Sequence, residues 1–358
     1  MNVNKWTVGL AAAGLVSLAS VAQAQEAKET VKTLVASTTV SGYVSASYVW
    51  APGSRVGATF AHNGPNDKTE TNDKNDRIAL DVVSLTFASA KGDGEWAAGY
   101  KIQAWLGPDA GSLGTGSDLK NAYIDLRAPI GSGLGIKVGV FDLPFGMEGS
   151  DRTGNAHYSH SLGYGLEPTQ LTGVQLDYKV SDAVSVTAGV ANSRTALINS
   201  SGTSGSDRNT YFGAITFKAP DSLGFLKGTE VTAGIISGEA SGSAQRLSNY
   251  YVGIALPTFV TNLKVGVALD FQQVAGNNND NQITGVYAAY KVSDKLTANV
   301  RAELGEIGTH DRQAYTATLR YALWANVLSQ LEYRLDRTSN SGADSTANTV
   351  IANLIYSF

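Results

Sequence analysis

The stretch Leu263-Lys264-Val265-Gly266-Val267-Ala268-Leu269-Asp270-Phe271-Gln272 decides the fold. Its large apolar residues fall at 263, 265, 267, 269 and 271, with Lys, Gly, Ala, Asp and Gln between them. Strict alternation gives a strand two different environments, one on each face. Working outward, Leu296, Ala298, Val300, Ala302 and Leu304 alternate with Thr297, Asn299, Arg301 and Glu303. Val327 to Asp336 and Val174 to Val180 repeat the period, and similar runs begin near residues 39, 78, 95, 119, 134, 184, 209, 229, 248, 282, 313 and 347. They amount to about sixteen runs of roughly ten residues, the length that crosses a bilayer as a tilted strand. The phase breaks at Val82 to Leu85, where a bulge is expected.

The connections alternate in length. Short ones read Lys91-Gly92-Asp93-Gly94, Ser181-Asp182, Pro257 to Asn262, Ser293-Asp294 and Leu323 to Asn326. Long ones, rich in Gly, Ser, Asn and Asp, cover 50–77, 107–118, 143–170, 194–208, 239–247, 274–281, 306–312 and 338–346. Short turns on one side and long loops on the other are the sidedness of an outer-membrane barrel. The expected fold is therefore all-β: one transmembrane up-and-down antiparallel β-barrel of about sixteen strands, with fourteen or eighteen left open. An even number puts both termini on the periplasmic side. Thr172-Gly173-Val174 leads to Tyr178-Lys179-Val180-Ser181-Asp182, and Thr284-Gly285-Val286 leads to Tyr290-Lys291-Val292-Ser293-Asp294. This repeat reads as one strand and tight turn used twice.

Composition agrees with a barrel wall. The 358 residues include 39 Gly and 16 Tyr but only 8 Pro and no Cys. Without cysteine there are no disulfides, thiolate metal sites or Cys nucleophiles. A formal charge of −4 gives no reason to expect a nucleic-acid partner. After residue 24 no apolar run approaches the roughly 20 residues a spanning helix needs.

The first residues have the three parts of an export signal: Lys5, the apolar stretch Trp6 to Val21, and the small-residue site Ala22-Gln23-Ala24. A membrane-anchoring helix is the alternative. Small residues dilute the run, however, and the polar stretch Gln25 to Lys32 follows it. Residues 1–24 are thus expected to be a signal peptide, 25–38 a periplasmic N-terminal extension, and 39–358 the outer-membrane barrel. At the other end Val350, Ala352, Leu354, Tyr356 and Phe358 fall on one face. A terminal Phe with an aromatic two residues before it resembles the signal by which the barrel-assembly machinery recognises its clients. An ordinary edge strand is the alternative. Pairing of this strand with Thr39 to Val49 would remove both edges.

The segment Gly139-Val140-Phe141-Asp142-Leu143-Pro144-Phe145-Gly146-Met147-Glu148 is followed by Asn155, Tyr158-Ser159-His160-Ser161 and Thr172-Gly173-Val174. With Ser41-Gly42-Tyr43-Val44 and Ser47-Tyr48, it resembles β-barrel porin family 2, the OmpL-like group. Its G-x-F-x-x-P-F-G-x-E piece is also similar, more weakly, to phosphate-selective porins. These motifs cover the first half of the barrel; the second half matches in its alternation and its ending. The resemblance implies transport of small solutes, leaves the substrate open and brings no catalytic residues with it.

Candidate site residues lie in the loop 143–170 and on the inward face. Glu148, Asp151, Arg152 and Glu167 are the candidates for a pore constriction, because charges in a narrow channel act strongly. An outward, wet surface loop is the alternative. Lys101, Arg127, Lys264, Arg301, Glu303, Arg320, Glu332 and Arg334 are candidates for the lumen wall, read either as a solvated lining or as a basic track for anions. His157-Tyr158-Ser159-His160 supplies only part of a zinc ligand set, so no metal site and no cofactor are expected. All four histidines, His62, His157, His160 and His310, fall in expected loops, and no G-x-S-x-G elbow is present, so no enzyme is expected. The expected function is passive diffusion of small hydrophilic solutes or ions through a porin in the cell outer membrane. Its partners would be lipid, the barrel-assembly machinery and, by analogy with porins, two further copies in a homotrimer. Two rivals remain: a non-conducting barrel acting as adhesin or envelope anchor, which needs a plugged lumen, and an outer-membrane enzyme.

Overall fold

A computed structural model describes residues 37–51, 76–201, 209–240, 245–276, 280–340 and 343–358. The expected signal peptide, all of the extension but Ser37 and Thr38, His62 and most of the connection 50–77 lie outside the described residues.

Sixteen strands follow one another along the chain. The first eight are β1 (Thr39–Trp50), β2 (Ile78–Ser89), β3 (Ala97–Leu106), β4 (Leu119–Ala128), β5 (Leu134–Asp142), β6 (Gln170–Lys179), β7 (Val184–Ala191) and β8 (Thr210–Lys218). The others are β9 (Glu230–Glu239), β10 (Arg246–Leu256), β11 (Leu263–Val274), β12 (Asn281–Lys291), β13 (Leu296–Ile307), β14 (His310–Trp324), β15 (Val327–Asn340) and β16 (Ala343–Ser357). Each is antiparallel to its sequence neighbours, and β1 pairs with β16 to close the barrel. The seam runs from Tyr43 opposite Ser357 to Trp50 opposite Val350. Beyond it Gly42 and Phe358 exchange two backbone hydrogen bonds of 2.9 Å each. A closed ladder leaves no unpaired edge for lipid to solvate. Among the described residues no helix is long and apolar enough to cross a membrane.

The alternation sorts side chains as expected. On β11, Leu269 is 43% exposed whereas its neighbour Ala268 is 1% exposed. Ile124, Val138, Ile215, Val300, Leu319, Leu331 and Leu354 form part of the apolar outer face. The lumen side of Ala268 is not open water, however. It packs with Phe145, Phe212 and Tyr251, because the connection 143–169 fills that space.

Two bulges re-aim charged side chains inward. Ser45 pairs with Val82 and Ala46 with Leu80, leaving Asp81 as an extra residue next to the expected phase break. Gln103 pairs with Asn121 and Ala104 with Leu119, leaving Lys120 in the same position on β4. Both side chains are buried.

The connections expected at 306–312 and 338–346 shrink to hairpins. Ile307 pairs with His310 and Asn340 with Ala343, so β13 to β16 run on through residues whose polarity suggested loops. Polar residues suit a strand that projects past the bilayer, and Arg312 Nη1 donates to Thr338 Oγ1 across two strands at 2.7 Å. Gly308, with φ of 64°, supplies the left-handed turn.

Candidate functional site

Residues 143–169, between β5 and β6, hold no strand and one short 3₁₀ turn, Tyr164–Leu166. Pro144 and Pro168 remove donors, and Gly146 sits at φ 121°, where a side chain would be strained. The segment turns into the barrel. Phe145 joins Phe141, Leu171, Phe212, Ile236 and Tyr251 in a buried cluster and stacks on Tyr251 with ring centres 5.7 Å apart. Gly234 gives it room, since a Cβ there would lie 2.5 Å from the Phe145 ring.

Charged and polar contacts then pin the segment around the wall. Glu148 Oε1 pairs with Arg301 Nη1 on β13 at 2.6 Å. Its Oε2 lies 3.1 Å from His160 Nδ1 and accepts from Ser161 N at 2.9 Å. Asp151 accepts from Gln103 Nε2 on β3 at 2.8 Å and lies 3.3 Å from Lys120 Nζ on β4. Arg152 Nε donates to Asp109 at 2.7 Å, and its guanidinium lies 4.1 Å from the Tyr158 ring centre. Asp109 belongs to a 3₁₀ segment, Pro108–Leu113, so the connection 107–118 is also tucked inside against Trp105 and Val82.

Farther along, the backbone N–H groups of Tyr158 and Ser159 donate to Glu332 on β15 at 2.6 and 3.1 Å. Tyr158 OH donates to Asp81 on β2 at 2.8 Å, and His157 Nδ1 lies 2.7 Å from Thr318 Oγ1 on β14. Arg334 on β15 donates to the His160 carbonyl at 2.6 Å, and Leu162 N donates to Glu303 on β13. The Leu166 carbonyl accepts from Arg194 and Asn249, each at 2.7 Å, and from Gln272 at 3.0 Å. Glu167 shares a carboxyl–carboxylate hydrogen bond with Asp270 on β11.

Burial and charge set the protonation of this segment. Burial alone would raise the Glu148 carboxyl, but Arg301 and then His160 hold it well below its usual range. Burial, reinforced by Arg301, pushes His157 down to about 3, and burial likewise lowers His160. Both rings are therefore neutral near pH 7. Glu167 goes the other way: burial and then the charge of Asp270 raise it well above the carboxylate range.

The candidate residues divide by position. Glu148, Arg152 and Glu167 engage wall or loop partners, while Asp151 keeps 32% of its side chain exposed. Arg301, Glu303, Glu332 and Arg334 lie beneath the segment and are buried. Lys101, Arg127, Lys264 and Arg320 stand on inward positions nearer the end with the short turns. The sequence reading missed Asp81, Asp109, Lys120 and Asp142. Lys120 touches Asp142 at 2.9 Å, and Asp142 is 45% exposed. Adjacent Lys120 and Asn121 in an alternating run were the one sequence sign of this bulge.

The family model described as "Putative beta-barrel porin-2, OmpL-like" matches residues 37–358. No curated protein matches the sequence. Among solved structures, the outer-membrane channel DcaP of Acinetobacter baumannii is similar with a TM-score of 0.62 at 14% identity, over 90% of this chain and 97% of its own. An anion-selective porin from Comamonas acidovorans gives 0.64 at 11% identity, over 90% and 99%. A trimer form of OmpT of Vibrio cholerae gives 0.58 at 15% identity, over 90% and 99%. At these identities the likeness is one of fold.

Proposed function

The chain belongs to the OmpL-like β-barrel porin-2 family and is an outer-membrane porin for passive diffusion, and we propose that residues 143–169 form its constriction. The observation that carries this reading is the ring of contacts from the segment to β1, β2, β3, β10, β11, β13, β14 and β15. A loop tied at so many points has no freedom to swing clear of the lumen. Glu148, Arg152 and Glu167 hold it in place. Asp151 faces the passing solute, together with Asp142 and Lys101. The partial exposure of Asp142 and Asp151 beside β3 to β5 supports a passage along that sector.

No residue is given a catalytic step. The trimer form of OmpT supports assembly of three copies. The signal peptide at 1–24, the extension at 25–38 and recognition of the terminal strand by the barrel-assembly machinery complete it.

One observation favours a sealed barrel serving as an envelope anchor instead. Wall side chains beneath the loop are buried on many strands, including Ser45, Val82, Trp105, Phe141, Leu171, Ile236, Arg301 and Thr349. Planar-bilayer recording decides between the two. The porin reading expects discrete current steps from the purified, folded protein; a folded barrel that inserts and carries no current supports the sealed reading.

A further inference from the structure

Four cations on the inward wall form no ion pair among the described residues. Towards the end with the short turns, Asp125 pairs with Lys91 at 2.6 Å and Asp177 with Lys137 at 3.5 Å. Glu230 stands opposite Lys218 in the ladder. Lys179 and Lys291 each reach an aspartate in their own turn, at 2.6 and 2.7 Å. That leaves Lys101, Arg127, Lys264 and Arg320, none of which has an ion-pair partner among the described residues. Among the described residues Arg127 and Arg320 donate to main-chain oxygens, of Ser132 at 3.4 Å and Thr153 at 3.1 Å.

Lys101 differs from the other three in its surroundings. It is half-buried, sits on β3 opposite Tyr123 of β4, and has no hydrogen-bond partner among the described residues. Lys137 lies over the same Tyr123 ring at 5.9 Å. The acids nearest in charge, Asp142 and Asp151, share Lys120, whose side chain is only 1% exposed. An ammonium has three donors and no acceptor, and one partly withdrawn from water is stabilised by any anion that comes within reach.

We infer that the pore favours small anions and that Lys101 sets the preference, with Arg127, Lys264 and Arg320 drawing anions to it. This rests on the porin reading. Anions entering the end with the short turns meet Arg127, Lys264 and Arg320, which make no ion pair among the described residues, before they reach Lys101 beside Asp142, Asp151 and Lys120, in a confined space where low-dielectric walls strengthen the field. Cations meet the same field as a barrier.

The test is the reversal potential of the purified protein in planar bilayers under a KCl gradient. Wild type is expected to favour chloride. Lys101→Gln should lower the anion-to-cation permeability ratio by about threefold at about 0.1 M salt, the effect of one charge acting through a few ångströms of water, and by less at about 1 M. Lys101→Arg should keep the wild-type ratio. Lys264→Gln alters an exposed side chain and should shift the ratio the same way, which serves if Lys101→Gln does not fold. A wild-type pore favouring cations, or a Lys101→Gln ratio equal to wild type, overturns the inference and leaves the porin reading intact. Absence of any current overturns both.

Discussion

Glu148 and Arg301, 2.6 Å apart and far separated in sequence, join the inward segment to the barrel wall. Arg301 also lies 2.9 Å from Glu303 and donates to the carbonyls of Ser159 and His160 at 3.0 and 3.1 Å. One guanidinium therefore fixes the near end of the loop, its middle and its own strand.

Arg301→Met removes that hub and strands two buried acids. Breaking a buried ion pair by removing one partner costs about 3–5 kcal/mol. The variant should lose its folded, heat-modifiable form at a lower temperature and show noisier channel openings. Arg301→Met combined with Glu148→Leu should recover part of the loss. Wild-type melting and quiet openings in the single variant would show that the pair anchors nothing.

Acid should loosen the loop. A freed His157 takes up a proton near 6.5, whereas in place it does so only near 3, so this contribution is complete above pH 6.5 and is lost as pH falls towards 3. Glu148 adds to the trend, since its lowered value gives stability above the ordinary 4.5 that fades on acidification. Glu167 acts oppositely: its raised value gives stability at low pH that is lost as pH climbs past 4.5. Channel noise recorded from pH 7 to 4 should rise on acidification, and less so in His157→Asn. A flat wild-type profile, or an identical rise in both proteins, contradicts this assignment.

Charge on the lipid face should be costly. Val267→Arg places a guanidinium at mid-membrane, worth roughly 2–4 kcal/mol of destabilisation. Ala268→Arg is no tolerant control, because that side chain lies in the cluster with Phe145 and Tyr251. Ala289→Glu is the better one: it is inward on β12, opposite Lys264 in the ladder. Folded yield in detergent should fall for Val267→Arg and hold for Ala289→Glu. Equal yields would mean the two faces are wrongly assigned.

Deleting Phe358 should lower outer-membrane levels more than any single loop substitution. The deletion removes both backbone bonds to Gly42 at the seam. Gly42→Val should have a similar effect, because a side chain there would collide with the Ser84 carbonyl and the Phe358 ring. Normal levels of both variants would separate the seam from assembly.

Much of the fold was legible because a barrel strand has two unlike faces and each residue records its own. Leu269 and Ala268 differ in sequence as they differ in exposure. The pairings of Ile307 with His310 and of Asn340 with Ala343 were not legible, since polar residues read as loop whether or not their backbone is paired. The connection 143–170 stood out in the sequence by its charge and length. Its contacts were not: which acid meets Arg301 depends on closing a barrel over a separation of 153 residues. Local pattern carries no such information. Asp109 was missed for the same reason, its partner Arg152 lying in another connection.

The central claim is that residues 143–169 narrow the pore, and single-channel conductance tests it most directly. Residues 147–166 would be replaced by a short Gly-Ser bridge, and the folded, heat-modifiable variant compared with wild type in planar bilayers at one salt concentration. Current depends on cross-section, so the account predicts larger steps from the shortened loop. Steps equal to or smaller than those of wild type, from a variant shown to be folded, would contradict it.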